Sequence, residues 1–147
     1  KEMLEASGKR INFVPIDAQV QAFHAVAPET TTACWATAAS MGPGPCVALM
    51  RALAAGDMAA VKAITADIQW ANEPIHPLLA NPEAFASHNI QLEKIRIATA
   101  GYCKPGPVRP PYDHMPAEFE RYARENGLRW KEICGRHPSA PIGGRGA

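Results

Sequence analysis

The chain has 147 residues, 47% of them apolar and 20% charged, which is enough for one domain with its own core and too apolar for a disordered tail. Fifteen basic and fourteen acidic side chains, with no long run of either sign, argue against nucleic acid or a membrane surface as a partner. No stretch approaches the roughly 20 apolar residues of a membrane helix, and the opening KEMLEASGKR holds no apolar leader segment, so the expected location is the cytoplasm.

In chain order, KEMLEASGKR has the pattern of a helix already under way, ended by Gly8 as a C-terminal cap with basic residues beside it. This predicts a chain that starts in the middle of a domain. INFVPI (11–16) is β-branched, aromatic and short, hence a strand. Asp17 stands at an N-cap position, and AQVQAFHAV places Val20, Phe23 and His24 on one helical face before Pro28 stops it. TTTACWATA (30–38) is a second strand, running into the Gly/Pro turn of SMGPGP. PCVALMRALAAG is a helix with Pro45 in its first turn and Gly56 past its end.

Two β-α units with such apolar strands imply parallel strands covered by helices. From Asp57 onward the chain turns helical. Val61, Ile64, Ile68, Ala71 and Ile75 recur at steps of three and four, and Pro74 and Pro77 close or kink that helix. A second helix is expected from about Pro82 through FASHNIQLEKIRIATAGY. A third runs from Pro116 to an end at Asn126 and Gly127, and LRWKEIC adds one more short helix. The Pro/Gly-rich tail, 138–147, is expected to be disordered. Two strands alone do not make a stable parallel sheet, so the rest of the sheet is expected upstream of residue 1.

Cys34, Cys46, Cys103 and Cys134 are widely spaced with no CxxC pair, and the five histidines show no HExxH-type spacing. The expectation is free buried thiols, structural or exposed histidines, and no metal.

NIQLEKIRIATAGYCKPGPVRPPYDHMPAEFERYARENG (89–127) resembles the C-terminal helical segment of the dihydrodipicolinate synthase and N-acetylneuraminate lyase superfamily. In that pattern a helix bearing a lysine, here Lys94, precedes a glycine, here Gly101. A loop ending in Val108-Arg109-Pro110-Pro111 and a last helix follow. Within the superfamily, TTTACWATAASMGPGP and HNIQLEKIR are most similar to the hydratase-aldolases that cleave aromatic benzylidenepyruvates.

The resemblance covers about 11–137 and implies the C-terminal part of a (β/α)8 TIM barrel, an α/β fold, plus a C-terminal helical extension. Residues 1–56 would hold strands 7 and 8 with their helices, 57–137 the extension, and 138–147 the tail. It also implies a homotetramer, a Schiff base between pyruvate and a lysine on strand 6, and a proton-managing tyrosine on an earlier strand. Lys1 lies too close to strand 7 to be that lysine. Lys62, Lys94 and Lys131 have charged neighbours on helices and are expected to be solvated. The chain by itself is therefore expected to be inactive, with the nucleophile upstream.

Barrel chemistry sits at the C-terminal ends of strands and in the loops after them, which puts Trp35 and ASMGPGP toward the site. Trp35 is either packed between barrel and helices or a wall for a planar substrate, with Ala33, Ala36, Ala38 and Ala39 leaving room for it. The resemblance favours the second. Asn89 falls in an apolar stripe with Phe85, Leu92, Ile95 and Tyr102. It either bridges backbone groups or, as the resemblance implies, hydrogen-bonds a substrate oxygen.

Asp17 is an N-cap or part of the pyruvate-end loop, although the Gly-x-Asp pattern of the superfamily is here Pro15-Ile16-Asp17. Ser40 and the backbone of 41–44 either form a plain turn or donate to a carboxylate. Arg109 is read as pinning its loop.

The expected function is a class I, pyruvate-dependent hydratase-aldolase of aromatic catabolism in bacteria, a lyase acting on an aromatic pyruvate without metal or organic cofactor. The alternatives are a dihydrodipicolinate synthase or sugar-acid lyase, whose pocket would be smaller and more polar, and a non-catalytic helical interaction module.

Overall fold

In the computed structural model residues 2–8 and 10–139 are described; Lys1 and residues 140–147 of the expected tail lie outside the described residues. Helix α1 (Glu2–Ala6) ends at Gly8, whose φ of 57° is a left-handed conformation that glycine adopts without a Cβ clash. The helix end expected at this glycine is thus present.

The two strands expected at 11–16 and 30–38 are not formed among the described residues. Their only pairing is a single parallel bridge between Ile16 and Trp35. Trp35 N–H donates to the Pro15 carbonyl at 3.0 Å, and Asp17 N–H donates to the Trp35 carbonyl at 3.1 Å. The ladder stops there for local reasons. Pro15 has no N–H to give, and the chain tightens into 3-10 turns at Asp17–Gln19 and Thr37–Met41 on the C-terminal side of the bridge.

Helix α2 (Val20–Val26) follows the first of these turns, and α3 (Gly44–Ala54) follows the second, with Pro45 in its first turn. Helix α4 (Met58–Asn72) is capped by Asp57, whose Oδ1 accepts from Ala60 N–H at 2.9 Å. Its predicted stripe is buried throughout, from Val61 to Ala71 and on to Ile75. Pro74 and Pro77 break the run into a 3-10 turn (Glu73–Ile75) and the short α5 (His76–Leu79).

Asn81 caps α6 (Pro82–Ala100) through Ala84 N–H, and Gly101 closes it at φ 80°. Tyr102, expected on the stripe of this helix, therefore falls beyond its end and is 63% exposed.

The last helix, α7 (Ala117–Arg136), does not stop at Asn126-Gly127, and LRWKEIC is its continuation. Those two residues serve packing. A Cβ on Gly127 would come 2.5 Å from the Arg96 carbonyl and 2.8 Å from Thr99 Cβ, so glycine lets α7 cross α6 at backbone contact. Asn126 is fully buried at the same crossing.

One core gathers Val20, Leu49, Val61, Ile68, Trp130 and Ile133, joining α2, α3, α4 and α7. A second gathers Ile75, Leu78, Leu92 and Ala123. Helix α7 lines both cores, because its apolar positions 123, 130 and 133 recur on one face while Arg and Glu occupy the other. Among the described residues no helix is long and apolar enough to cross a membrane.

Candidate functional site

Beside the Ile16–Trp35 bridge, on the C-terminal side of both extended segments, lies a cleft of about 310 Å³. Asp17, Trp35, Thr37, Phe85, Glu93 and Arg96 contribute to its walls, with further side chains from α4 and α5 behind them. Extended backbone sends alternate side chains to opposite sides. Trp35 and Thr37 accordingly face this cleft, while Cys34 and Ala36 face a separate apolar groove. Of the four alanines expected to make room beside the indole, only Ala38 lines the cleft. Ala39 lines the other groove. The indole is 52% exposed and so is not core packing within the described residues.

Asp17 is 2% exposed and contributes to the wall of the same cleft. It does not cap the helix as expected. The cap position is Ile16, and Asp17 opens the 3-10 turn, its Oδ1 accepting from the adjacent Ala18 N–H at 2.7 Å. Its Oδ2 accepts from the Cys46 thiol at 3.5 Å. Burial holds the Asp17 carboxyl above the ordinary aspartate range, partly offset by the Ala18 N–H, the Cys46 thiol and the positive charge of Arg96. The Cys46 thiol is pushed up by burial and by the neighbouring Asp17, so it stays protonated.

A carboxyl with a raised folded-state pKa keeps a proton that the unfolded chain has already released. Stability therefore falls as pH rises from the ordinary aspartate range through the raised value. Asp17→Asn removes the titrating group and keeps an Oδ1 acceptor for Ala18 N–H, while its amide nitrogen donates toward the Cys46 sulfur where the carboxyl accepted from the thiol, so we expect it to flatten this fall. Thermal midpoints measured across about pH 4 to 8 check it. Parallel profiles for variant and parent would remove Asp17 as the source.

Asn89 sits half-buried on α6, one turn after Phe85 and one turn before Glu93; those two line the cleft and Asn89 does not. Ser40 is not brought to it. Its hydroxyl donates back to the Thr37 carbonyl at 2.8 Å, and its own carbonyl accepts from the Cys103 thiol at 3.2 Å.

Lys94, expected to be solvated, donates through Nζ to the carbonyls of Pro105 at 2.8 Å and Pro107 at 3.0 Å. It is therefore Lys94 whose side chain ties down the loop after α6, where Arg109 was expected to do so. Lys62 is exposed, as its charged surroundings suggest. The four thiols are free but not all buried: Cys46 is buried, Cys34 and Cys134 are intermediate, and Cys103 is exposed. Among the described residues no group of three or more His, Cys, Asp or Glu is placed to hold a metal ion.

The residue missed from sequence is Arg96, only 4% exposed at the base of the cleft. Its Nε and Nη2 donate to the two Glu93 carboxylate oxygens at 3.0 and 2.5 Å, Nη2 also to Thr37 Oγ1 at 3.1 Å, and Nη1 to Asn126 Oδ1 at 3.3 Å. Asn126 in turn donates to the Ala71 carbonyl at 2.6 Å and to Asn72 Oδ1 at 3.1 Å. The available signal was its register: Arg96 comes four residues after Leu92, inside the apolar stripe of α6, where an arginine must be paired to be buried.

No protein-family model matches the chain. It is 34% identical over 131 residues to the trans-O-hydroxybenzylidenepyruvate hydratase-aldolase of Pseudomonas aeruginosa, covering 86% of this chain and 39% of that protein. It is 37% identical over 106 residues to the trans-2'-carboxybenzalpyruvate hydratase-aldolase of Nocardioides sp. (strain KP7), covering 72% of this chain and 32% of that one. Among solved structures, "PhdJ bound to substrate intermediate" superposes with a TM-score of 0.83 at 29% identity, over 91% of this chain and 41% of that chain. The chain thus spans about two fifths of the length of the first relative and of this structure. By sequence and by fold it is a relative of the aromatic hydratase-aldolases, matched over part of their length.

Proposed function

We propose that this chain is the C-terminal portion of a class I, pyruvate-dependent hydratase-aldolase acting on an aromatic benzylidenepyruvate. The observation that carries the reading is the similarity to two hydratase-aldolases of different aromatic substrates across most of the chain. On this reading residues 1–56 complete a (β/α)8 barrel, 57–137 form its helical extension, and the enzyme is a bacterial cytoplasmic homotetramer. The parallel orientation of the Ile16–Trp35 bridge is consistent with neighbouring barrel strands.

The chemistry would run through an imine between pyruvate and a lysine in the rest of the barrel. Water adds across the conjugated double bond, and the hydroxylated adduct then breaks its carbon–carbon bond. The hydroxyl gives its proton to a base in the rest of the barrel, the carbon–carbon bonding electrons pass into the imine as the aromatic aldehyde leaves, and protonation of the resulting enamine followed by hydrolysis releases pyruvate. The imine is the electron sink, so neither metal nor organic cofactor takes part.

In this scheme Trp35 walls the aromatic end, its half-exposed indole being open to the cleft. Asn89, on α6 between the cleft-lining Phe85 and Glu93, orients the added oxygen. Asp17, in the cleft wall at the start of the 3-10 turn, faces the pyruvate end. Ser40 is assigned only a backbone-turn role, because its hydroxyl is used locally.

The test is borohydride trapping of the full-length protein with pyruvate. One pyruvate-derived adduct per subunit, on a lysine outside this chain, is expected. Absence of a covalent adduct defeats the aldolase reading.

A further inference from the structure

Three separate parts of the chain meet at one buried guanidinium in the cleft wall. Arg96 is on α6, Glu93 is one turn before it, Thr37 opens the 3-10 turn two residues after Trp35, and Asn126 is at the α6–α7 crossing. Through Asn126 the same network reaches the last turn of α4 at Ala71 and Asn72. The crossing is fixed by backbone contact, since Gly127 leaves no room for a side chain against the Arg96 carbonyl. The guanidinium therefore sits where α6 cannot slide on α7.

We propose that Arg96 is a positioning residue that sets the separation between Trp35 and Asn89, the two groups assigned to substrate above. This rests on the aldolase reading for its kinetic consequence but not for its structural one. The physical argument is one of over-determination. Arg96 lies seven residues after Asn89 on the same helix and binds Glu93, which is four after Asn89, so α6 is clamped one to two turns from Asn89. The Thr37 hydroxyl ties the same guanidinium to the segment carrying Trp35.

Arginine suits this place because its planar fork serves Glu93, Thr37 and Asn126 at once, which a lysine ammonium on a flexible stem does not do in fixed geometry. Asn126 is fully buried and uses its side-chain amide in both directions, so loss of Arg96 strands its oxygen. The ion pair is thus placed to hold geometry more than to add stability.

The test uses the full-length protein with 5-fluorotryptophan incorporated, the Trp35 fluorine resonance being assigned by Trp35→Phe. Thr37→Val removes one link and Arg96→Met removes all of them. Both are expected to shift or broaden the Trp35 resonance. In kinetics with an aromatic benzylidenepyruvate, Thr37→Val should lower kcat/KM by about threefold to tenfold and Arg96→Met by more. Borohydride trapping of pyruvate should stay at the parent level in both.

A Trp35 resonance in Thr37→Val identical to the parent overturns the proposal even if Arg96→Met fails to fold. Equal loss of pyruvate trapping and of aromatic turnover in a folded variant overturns it too, because the effect would then be global. If the parent itself traps no pyruvate, the aldolase reading falls, and the fluorine spectra still decide whether Arg96 positions Trp35.

Discussion

Replacing Trp130 by alanine is expected to remove about 3–5 kcal/mol of stability, the largest loss from any single truncation in this chain. Trp130 is fully buried and belongs to the core shared by α2, α3, α4 and α7. Its ring also carries a tertiary hydrogen bond, Nε1–H donating to the Gly42 carbonyl at 3.0 Å. Truncation leaves a cavity the helices cannot close and leaves the Gly42 carbonyl only the longer Cys134 thiol contact at 3.7 Å. Against the usual ~5–15 kcal/mol of a folded domain, the variant should lie near the edge of unfolding.

Trp130→Phe separates the two contributions, since it keeps most of the ring volume and loses the N–H, and we expect about 1–3 kcal/mol from it. Thermal unfolding followed by circular dichroism provides the comparison. An alanine variant within about 1 kcal/mol of the parent would mean that this helix packing is wrong. Because Gly42 closes the turn after the Trp35 segment, Trp130 also couples the core to the cleft. Its loss should loosen the turn that begins at Thr37.

Trp35→Ala is expected to have the opposite profile. Its indole is half-exposed, so the cost to stability should stay within about 1 kcal/mol. Turnover of an aromatic benzylidenepyruvate by the full-length protein should fall by about a hundredfold in kcat/KM, as loss of an aromatic wall for a flat substrate implies. Trp35→Phe should recover most of it, and trapping of pyruvate should be unaffected. Unchanged kinetics with the aromatic substrate would remove the role assigned to Trp35. The stability contrast between Trp130 and Trp35 follows from burial and from the Gly42 hydrogen bond, because the residue type is the same.

Most of the helical architecture was legible in local chemistry. Asp57 announced the start of α4, and its stripe from Val61 to Ile75 is buried as its spacing requires. Pro74 and Pro77 fall where the helix breaks, and Gly8, Gly56 and Gly101 follow helix ends with positive φ. The errors came where a residue with a local meaning is used by a distant one. Asn126-Gly127 has the chemistry of a helix end, but in the structure it is a helix crossing, with the Arg96 carbonyl against Gly127 and its guanidinium on Asn126. Asp17 has the chemistry of a cap but is buried against Cys46, 29 positions away. Lys94 has the chemistry of a solvated side chain but ends on two loop carbonyls.

The two extended segments show the same division. Their composition called for strands, and their single bridge has the parallel sense expected, yet Pro15 and the following 3-10 turns leave no further ladder among the described residues. The cleft was partly legible. Trp35 stood out because it is large among small neighbours, whereas Asn89, singled out as polar in an apolar stripe, is not among the residues lining the cleft.

Periodicity, caps and breakers act within a few residues, so the sequence by itself determined where the helices run and which of their faces are apolar. Only the tertiary structure decided that Arg96, Glu93, Thr37 and Asn126 form one unit under Trp35. The charge partner Glu93 is local, three residues before Arg96, but Thr37 and Asn126 arrive from elements far apart in the chain, and no local pattern records their arrival.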